Sequence, residues 1–198
     1  MKNKKITRKI TQGMYVLTTN NGGCVVDAVS QISSGDNPLI SVSVMKSNYT
    51  NELLKNNSKF GLSVLGKSVN SNIIDTFGYK SMRDIDKFEN VDFTLIDEVK
   101  VINDSLGYMV CEVVDSIDND THTLFIGKLI HADVFSDEEG MSYQYYQEHK
   151  DDYVKVVTEK GKTAWICTVC GYVVYDEELE DDYTCPICGV SKDLFVRK

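Results

Sequence analysis

Four cysteines, Cys167, Cys170, Cys185 and Cys188, lie within 22 residues in two Cys-x-x-Cys pairs, each followed by a glycine, Gly171 and Gly189. Thiolates in this pattern are metal ligands, since crowded Cys-x-x-Cys pairs in a reducing compartment bind metal more often than they form disulfides. The glycines let each backbone turn so that amide N–H groups point at sulfur. Two such turns facing one another make a tetrahedral sulfur cage. Such a cage suits Zn²⁺ and mononuclear iron alike, so ligation alone leaves both open. Cys24 and Cys111 stand by themselves in the sequence and read as small buried hydrophobes.

The elements that must carry this cage are few. About 35 residues, 164–198, form the cysteine-bearing module, a length below which an apolar core alone rarely sustains a fold. The metal therefore contributes much of the folding energy. Residues 159–163, Glu-Lys-Gly-Lys-Thr, read as a linker, and 1–158 as a separate, larger domain. That domain reads as short β segments over 14–19, 25–32, 39–45, 60–65, 92–101, 108–117 and 121–135, rich in Val, Ile and Thr and separated by Asn/Gly/Asp clusters. Two helices interrupt them, over 49–56 and 68–76, each after a polar cap candidate. Strands with two short helices predict an antiparallel barrel or sandwich and not a doubly wound sheet.

Composition excludes several function classes. The 198 residues carry a formal charge of −9, with Lys and Arg scattered, which argues against a nucleic-acid partner. No run of about 18 apolar residues exists to span a membrane, and the basic N-terminal segment lacks an apolar stretch after it. A cytoplasmic location is expected. His122, His131 and His149 share no ligand or triad spacing, and no P-loop or Gly-x-Gly-x-x-Gly is present. The run 176–182 carries six carboxylates, either a solvated face or a docking patch for a basic redox partner.

The C-terminal module resembles rubredoxin, the small protein with one iron held by four cysteines. The matching residues are Cys167-Thr168-Val169-Cys170-Gly171-Tyr172-Val173, Tyr175-Asp176, Leu179, Asp181-Asp182-Tyr183, Cys185-Pro186-Ile187-Cys188-Gly189-Val190, Lys192-Asp193 and Phe195. Only 14 residues separate Cys170 from Cys185, so the long loop of ordinary rubredoxins is deleted, as in rubredoxin-like modules appended to other redox proteins. The resemblance favours iron at Cys167, Cys170, Cys185 and Cys188. The alternative is a structural zinc ribbon serving protein interaction, behind a flavin reductase or flavin-binding module.

The larger domain resembles the flavin reductase-like, FMN-binding split-barrel family, of the type joined to rubredoxin in high-molecular-weight rubredoxins. The resemblance rests on residues 29–33 (Val-Ser-Gln-Ile-Ser), 40–50 (Ile-Ser-Val-Ser-Val-Met-Lys-Ser-Asn-Tyr-Thr), 77–88 (Phe-Gly-Tyr-Lys-Ser-Met-Arg-Asp-Ile-Asp-Lys-Phe), and Gly127-Lys128 with Ala132-Asp133-Val134 and the tyrosines of 142–146. The expected fold is mainly β: an FMN-binding split β-barrel with short helices, plus the small rubredoxin-like metal domain. From the residues alone, 46–50 join a strand to a helix N-terminus, where free N–H groups and the helix dipole favour an anion. Lys46, Ser47, Asn48 and Thr50 suit a flavin phosphate; the bland alternative is helix capping by Ser47 or Asn48.

The resemblance implies that Asp27, Ala28, Val29, Ser30 and Gln31 lie along the isoalloxazine ring, with Ser43 and Tyr49 also in the cofactor site. Lys80 and Arg83 are candidates to meet an anionic nicotinamide cofactor, or else belong to an ordinary charged surface turn that runs on to Lys87. The activity implied is electron transfer from NAD(P)H to FMN, then to a single four-cysteine iron, then to a redox partner such as a flavodiiron protein. A homodimer is implied by analogy.

Overall fold

The computed structural model describes residues 4–153, 163–169, 172–186 and 189–197. It divides into two compact units, 1–153 and 154–198. The first opens with a 3₁₀ turn, Lys4–Lys9, and then builds seven antiparallel strands into one sheet. Strands β1 (Tyr15–Thr18), β2 (Gly23–Val26), β3 (Val29–Gln31), β4 (Leu39–Met45) and β5 (Lys59–Val64) come first in the chain. A separate hairpin of β6 (Phe93–Ile96) and β7 (Val99–Ile102) precedes the two long strands, β8 (Gly107–Asp118) and β9 (His122–Val134). The sheet order is β2-β1-β5-β8-β9-β4-β3.

The two edges of that sheet, β2 and β3, are consecutive in the chain, joined only by Asp27 and Ala28. A seven-stranded sheet whose edges are two residues apart must curl until they meet. The result is a split barrel whose opening lies at Asp27 and Ala28. The sequence read 25–32 as one strand; the structure divides it because Ala28 turns its carbonyl to the Ser43 N–H at 3.0 Å while Asp27 closes a tight turn onto Val29 N–H at 2.9 Å.

Alternation places Ile40, Val42 and Val44 of β4 inside, with Leu17, Cys24, Val26, Phe60, Leu62, Cys111 and Phe125. Leu54 of helix α1 (Tyr49–Asn56) joins this cluster. Gly127 on β9 is required by this packing, because a Cβ there would lie 2.5 Å from the Phe60 ring and 2.7 Å from the Cys111 Cβ. Register shifts after Val110 and Val113 bend β8 around the interior.

The expected strand 92–101 is a hairpin instead. Asp97 and Glu98 both adopt positive φ, 48° and 69°, which reverses the chain in two residues. Lys59 holds the tip, its Nζ 2.8 Å from the Asp97 carboxylate, and lowers that carboxyl's pKa. Helix α2 (Ser71–Tyr79) begins three residues later than expected. Asn70 caps it, accepting from Asn72 N–H at 2.9 Å, whereas Ser68 donates to the Glu138 carboxylate at 2.6 Å. Two short helices, α3 (Tyr143–Glu148) and α4 (Lys150–Tyr153), had no counterpart in the sequence reading and close the unit. Tyr153 donates to the Lys67 carbonyl at 2.6 Å.

The second unit is a three-stranded antiparallel sheet, order β11-β10-β12, of β10 (Thr163–Cys167), β11 (Val173–Asp176) and β12 (Phe195–Arg197). Its core is Cys167, Leu179, Cys185 and Phe195, flanked by Trp165, Tyr172 and Tyr183. Among the described residues, no helix is long and apolar enough to cross a membrane. Residues 159–162 of the expected linker lie outside the described residues.

Candidate functional site: a barrel cleft and a cysteine cage

The barrel opening at Ala28 pairs with Ser43 near the C-terminal end of β4, four residues before the Ser47–Asn48 turn into α1, so β4 brings the two halves of the candidate cleft to one end. At the two ends of its edge partner β3, Ser43 N–H donates to the Ala28 carbonyl at 3.0 Å and Ile32 N–H donates to the Leu39 carbonyl at 2.8 Å. In an antiparallel ladder the intervening residues point their backbone groups the other way. The Val29 carbonyl and the Gln31 N–H and carbonyl therefore face off the sheet edge, where the polar rim of a flat ring system can meet them. Ser30 pairs with Ser41, whose hydroxyl donates to the Ser30 carbonyl at 3.2 Å, and the Gln31 amide donates to the Ser33 carbonyl at 2.9 Å. Burial raises the Asp27 carboxyl pKa, opposed by the N–H groups of Asp27 and Ala28 and by His122.

Just past the C-terminal end of β4, Lys46 N–H donates to the Thr121 carbonyl at 2.9 Å and Asn48 caps α1, accepting from Thr50 N–H at 3.0 Å. The Lys46 ammonium lies 4.0 Å from the Asp118 carboxylate, which also takes Lys55 at 3.2 Å and the Thr123 hydroxyl at 2.6 Å. Ser47 is exposed and Thr50 is buried. Burial raises the pKa of the Cys24 thiol, opposed by Thr50, Lys87 and Asn48.

Lys87 is the residue that sequence reading missed. It lies within a charged run, Arg-Asp-Ile-Asp-Lys, that reads as a surface turn, yet it is only 4% exposed. Its ammonium donates to the carbonyls of Gly23 at 3.0 Å and Phe77 at 3.2 Å. Among the described residues no carboxylate pairs with it. Burial depresses its pKa to about 8, from an ordinary 10.5. One unit corresponds to about 1.4 kcal/mol, so keeping this ammonium charged costs the fold on the order of 3 kcal/mol. These contacts set it between the start of β2 and the C-terminal turn of α2, and a buried cation with no carboxylate partner among the described residues makes sense as a counter-charge for an anion bound nearby. The buried Phe88 that follows it is apolar, but nothing in the charged run itself signals that Lys87 is buried as well.

The two nicotinamide candidates are each tied to a carboxylate. Lys80 lies 2.6 Å from Asp75 within α2, and the Arg83 Nη2 lies 2.5 Å from the Glu52 Oε1 while its guanidinium stacks 4.6 Å above the Tyr49 ring. Cys24 and Cys111 form no disulfide, and burial drives the Cys111 thiol up to about 12, which leaves it an inert core residue.

In the second unit, Cys167 and Cys185 are buried, while Cys170 and Cys188 lie outside the described residues. The two turns are built alike. Cys167 N–H donates to the Tyr172 carbonyl at 2.8 Å, and Cys185 N–H donates to the Val190 carbonyl at 2.8 Å, each bond spanning five residues that include the second cysteine of the pair. Gly189 adopts φ +70° and donates to the Cys185 carbonyl at 2.8 Å, which is the backbone conformation that favours glycine after the pair. Two matched turns rooted in buried cysteines, in a sequence that supplies four thiols in two Cys-x-x-Cys pairs, fit a four-coordinate thiophilic metal. Tyr183 packs edge-on to Phe195 at 5.5 Å over this centre, and burial with the neighbouring Tyr172 and the two cysteines pushes its phenol pKa upward.

Comparison with known proteins agrees with this geometry. The flavin reductase like domain family matches residues 7–153, and the rubrerythrin, rubredoxin-like domain family matches 165–196. The chain belongs to the flavin reductase-like family and carries a rubredoxin-like domain C-terminal to it in the sequence. It is an oxidoreductase of the electron-transport class. It is 34% identical to the high molecular weight rubredoxin of Moorella thermoacetica, over 96% of this chain and 97% of that protein. It is 30% identical to the ferric-chelate reductase (NAD(P)H) of Archaeoglobus fulgidus, over 81% of this chain and 93% of that one. The NADH:FAD oxidoreductase of Streptomyces globisporus shares the barrel fold, with TM-score 0.65 and 22% identity over 70% of this chain and 85% of that chain. The same protein in complex with NAD and FAD fragments aligns at TM-score 0.62 and 23% identity, over 70% of this chain and 84% of that chain.

Proposed function

We propose that this chain is an NAD(P)H-dependent FMN oxidoreductase and electron carrier. FMN occupies the barrel cleft, one iron occupies the four-cysteine site, and a separate redox protein receives the electrons. The observation that carries this reading is the pair of matched cysteine turns on a chain whose barrel also buries the Lys87 ammonium against the Gly23 and Phe77 carbonyls with no carboxylate partner among the described residues.

The chain's own residues divide the work. Lys87 and the first-turn N–H groups of α1, with Thr50 and Asn48, hold the FMN phosphate, while Lys46 and Ser47 add surface charge and a donor near it. The outward backbone groups of Val29 and Gln31, with Ala28, Ser30, Ser43 and the partly buried Asp27, line the ring. Cys167, Cys170, Cys185 and Cys188 hold the iron, and Tyr172, Tyr183, Trp165 and Phe195 keep water from it. When bound, the flavin takes a hydride and releases electrons singly, and a four-sulfur iron carries one electron at a time. That pairing of two-electron and one-electron chemistry accounts for the fusion of the two domains. A nicotinamide donor is supported by the printed activity of the Archaeoglobus relative and by the NAD complex of the Streptomyces structure. A flavodiiron-type acceptor, a homodimer and a cytoplasmic setting are parts of the same proposal.

The test is composition. Protein purified after iron-replete expression is extracted and its cofactors quantified, with one FMN and one iron per chain expected. Stoichiometric zinc, or FAD in place of FMN, overturns the assignment.

A further inference from the structure

Residues 80–86 form a strap between α2 and the buried Lys87. The strap is internally folded: Arg83 N–H donates to the Ser81 hydroxyl at 3.1 Å, and the Asp84 and Ile85 N–H groups donate to the Ser81 carbonyl at 3.1 and 3.2 Å. Its C-terminal end is fixed, because Lys87 is locked to two carbonyls and donates its own N–H to the Met82 sulfur at 3.3 Å. Met82 also lies against the β1–β2 turn: a Cβ on Gly22 would sit 3.5 Å from its Cγ.

The tip is held differently. Arg83 reaches the first turn of α1, where Tyr49 and Glu52 stand three residues apart on one face, and takes both by stacking and by ion pairing. Both partners of the ion pair are about half exposed, at 49% and 55% of the side chain. Such contacts are weak and exchange readily with solvent. The strap thus has a buried, fixed hinge at Lys87 and a releasable tip at Arg83, and the tip closes over the same helix turn that receives the anion.

We infer that the Arg83–Glu52 contact is a latch that retains the flavin, which makes Arg83 a positioning residue for the cofactor. The inference rests on the reading of α1's first turn as the phosphate seat. Glu52 is the acidic residue of that turn, and unpaired it repels a phosphate dianion. Arg83 cancels that repulsion while it pins the strap. Flavin leaves only after Arg83 lets go.

The experiment measures FMN dissociation from the full chain by recovery of free-flavin fluorescence on dilution, at low and high salt. Arg83→Met and Glu52→Gln each release FMN about threefold to thirtyfold faster than the parent, the range expected for losing an exposed ion pair together with a cation–π contact. Salt speeds release from the parent and leaves the two variants unchanged, and Arg83→Lys falls between. An unchanged rate in Arg83→Met, or slower release from Glu52→Gln, overturns the latch; the second result makes Glu52 a simple repulsive charge. FMN affinity in Lys87→Met separates this failure from that of the underlying reading. If Lys87→Met and Thr50→Ala bind FMN as tightly as the parent, the phosphate seat itself is misplaced.

Discussion

The Lys87 ammonium donates to the carbonyl of Gly23, 64 residues earlier in the chain, at 3.0 Å. This bond ties the segment after α2 to the second strand of the barrel and sets a positive charge next to the strand residue that precedes Cys24. Without an anion the arrangement is a cost to the fold, since the ammonium is desolvated and meets only neutral acceptors. With a phosphate present the same charge becomes a binding determinant.

Replacing Lys87 by Met therefore has opposite effects on the two states. Apoprotein gains stability, by about 1–3 kcal/mol, because a methylene chain of similar length replaces a buried cation. FMN affinity drops by at least tenfold, the loss of a charge-assisted contact. Chemical denaturation of apoprotein and fluorescence titration with FMN check the two halves; a destabilised apoprotein that still binds FMN normally runs against the expectation.

The pH dependence follows with its sign. Lys87 titrates near 8 in the folded apoprotein and near 10.5 when unfolded, so the folded state binds fewer protons between those values. The Lys87 contribution to apoprotein stability therefore rises as pH climbs from about 8 to 10.5. FMN binding needs the charged form and weakens over the upper part of that range. Lys87→Met flattens the additional pH dependence of FMN affinity above 8. A parent protein whose affinity shows no such component contradicts the placement of phosphate at Lys87.

On the proposed reading the four cysteines serve folding as well as electron transfer. Cys167→Ser or Cys185→Ser removes a ligand at the root of one turn, and each is expected to lose metal and the visible absorption that goes with it. The barrel has its own core and keeps its FMN. Metal analysis alongside flavin fluorescence reads both outcomes in one preparation; concurrent loss of flavin runs against independent units.

Gly127→Ala tests the barrel interior. The added Cβ meets the Phe60 ring and the Cys111 Cβ below 3 Å, with neighbouring strands on both sides of β9. Overpacking of this kind costs about 1–3 kcal/mol, seen as a lowered denaturation midpoint.

Much of this was legible in the residue order. The 49–56 helix and the β4 strand at 39–45 coincide with their expected bounds because alternation, an Asn cap and buried Leu54 all point the same way. The break at Asp27 was not legible, since Val25 to Ile32 reads as one β-rich run and only the pairing of Ala28 with Ser43 across strands interrupts it. Nor was the Asp97–Glu98 turn, because two acidic residues in the left-handed region depend on tertiary anchoring by Lys59. Lys87 escaped for the same reason: its burial is decided by carbonyls of Gly23 and Phe77 that sequence distance conceals. The cysteine pairs, by contrast, announce their chemistry through spacing alone, and the placement of Cys170 and Cys188 lies outside the described residues.

The central claim is that one chain passes electrons from a nicotinamide nucleotide through its flavin to its own four-cysteine iron. An anaerobic titration with NADH or NADPH, following flavin and iron absorption together in protein with and without FMN, tests it most directly. Both bands bleach in the loaded protein, and the iron band stays oxidised when FMN has been removed. Iron that is reduced equally fast without flavin, or that stays oxidised while the flavin is fully reduced, contradicts it.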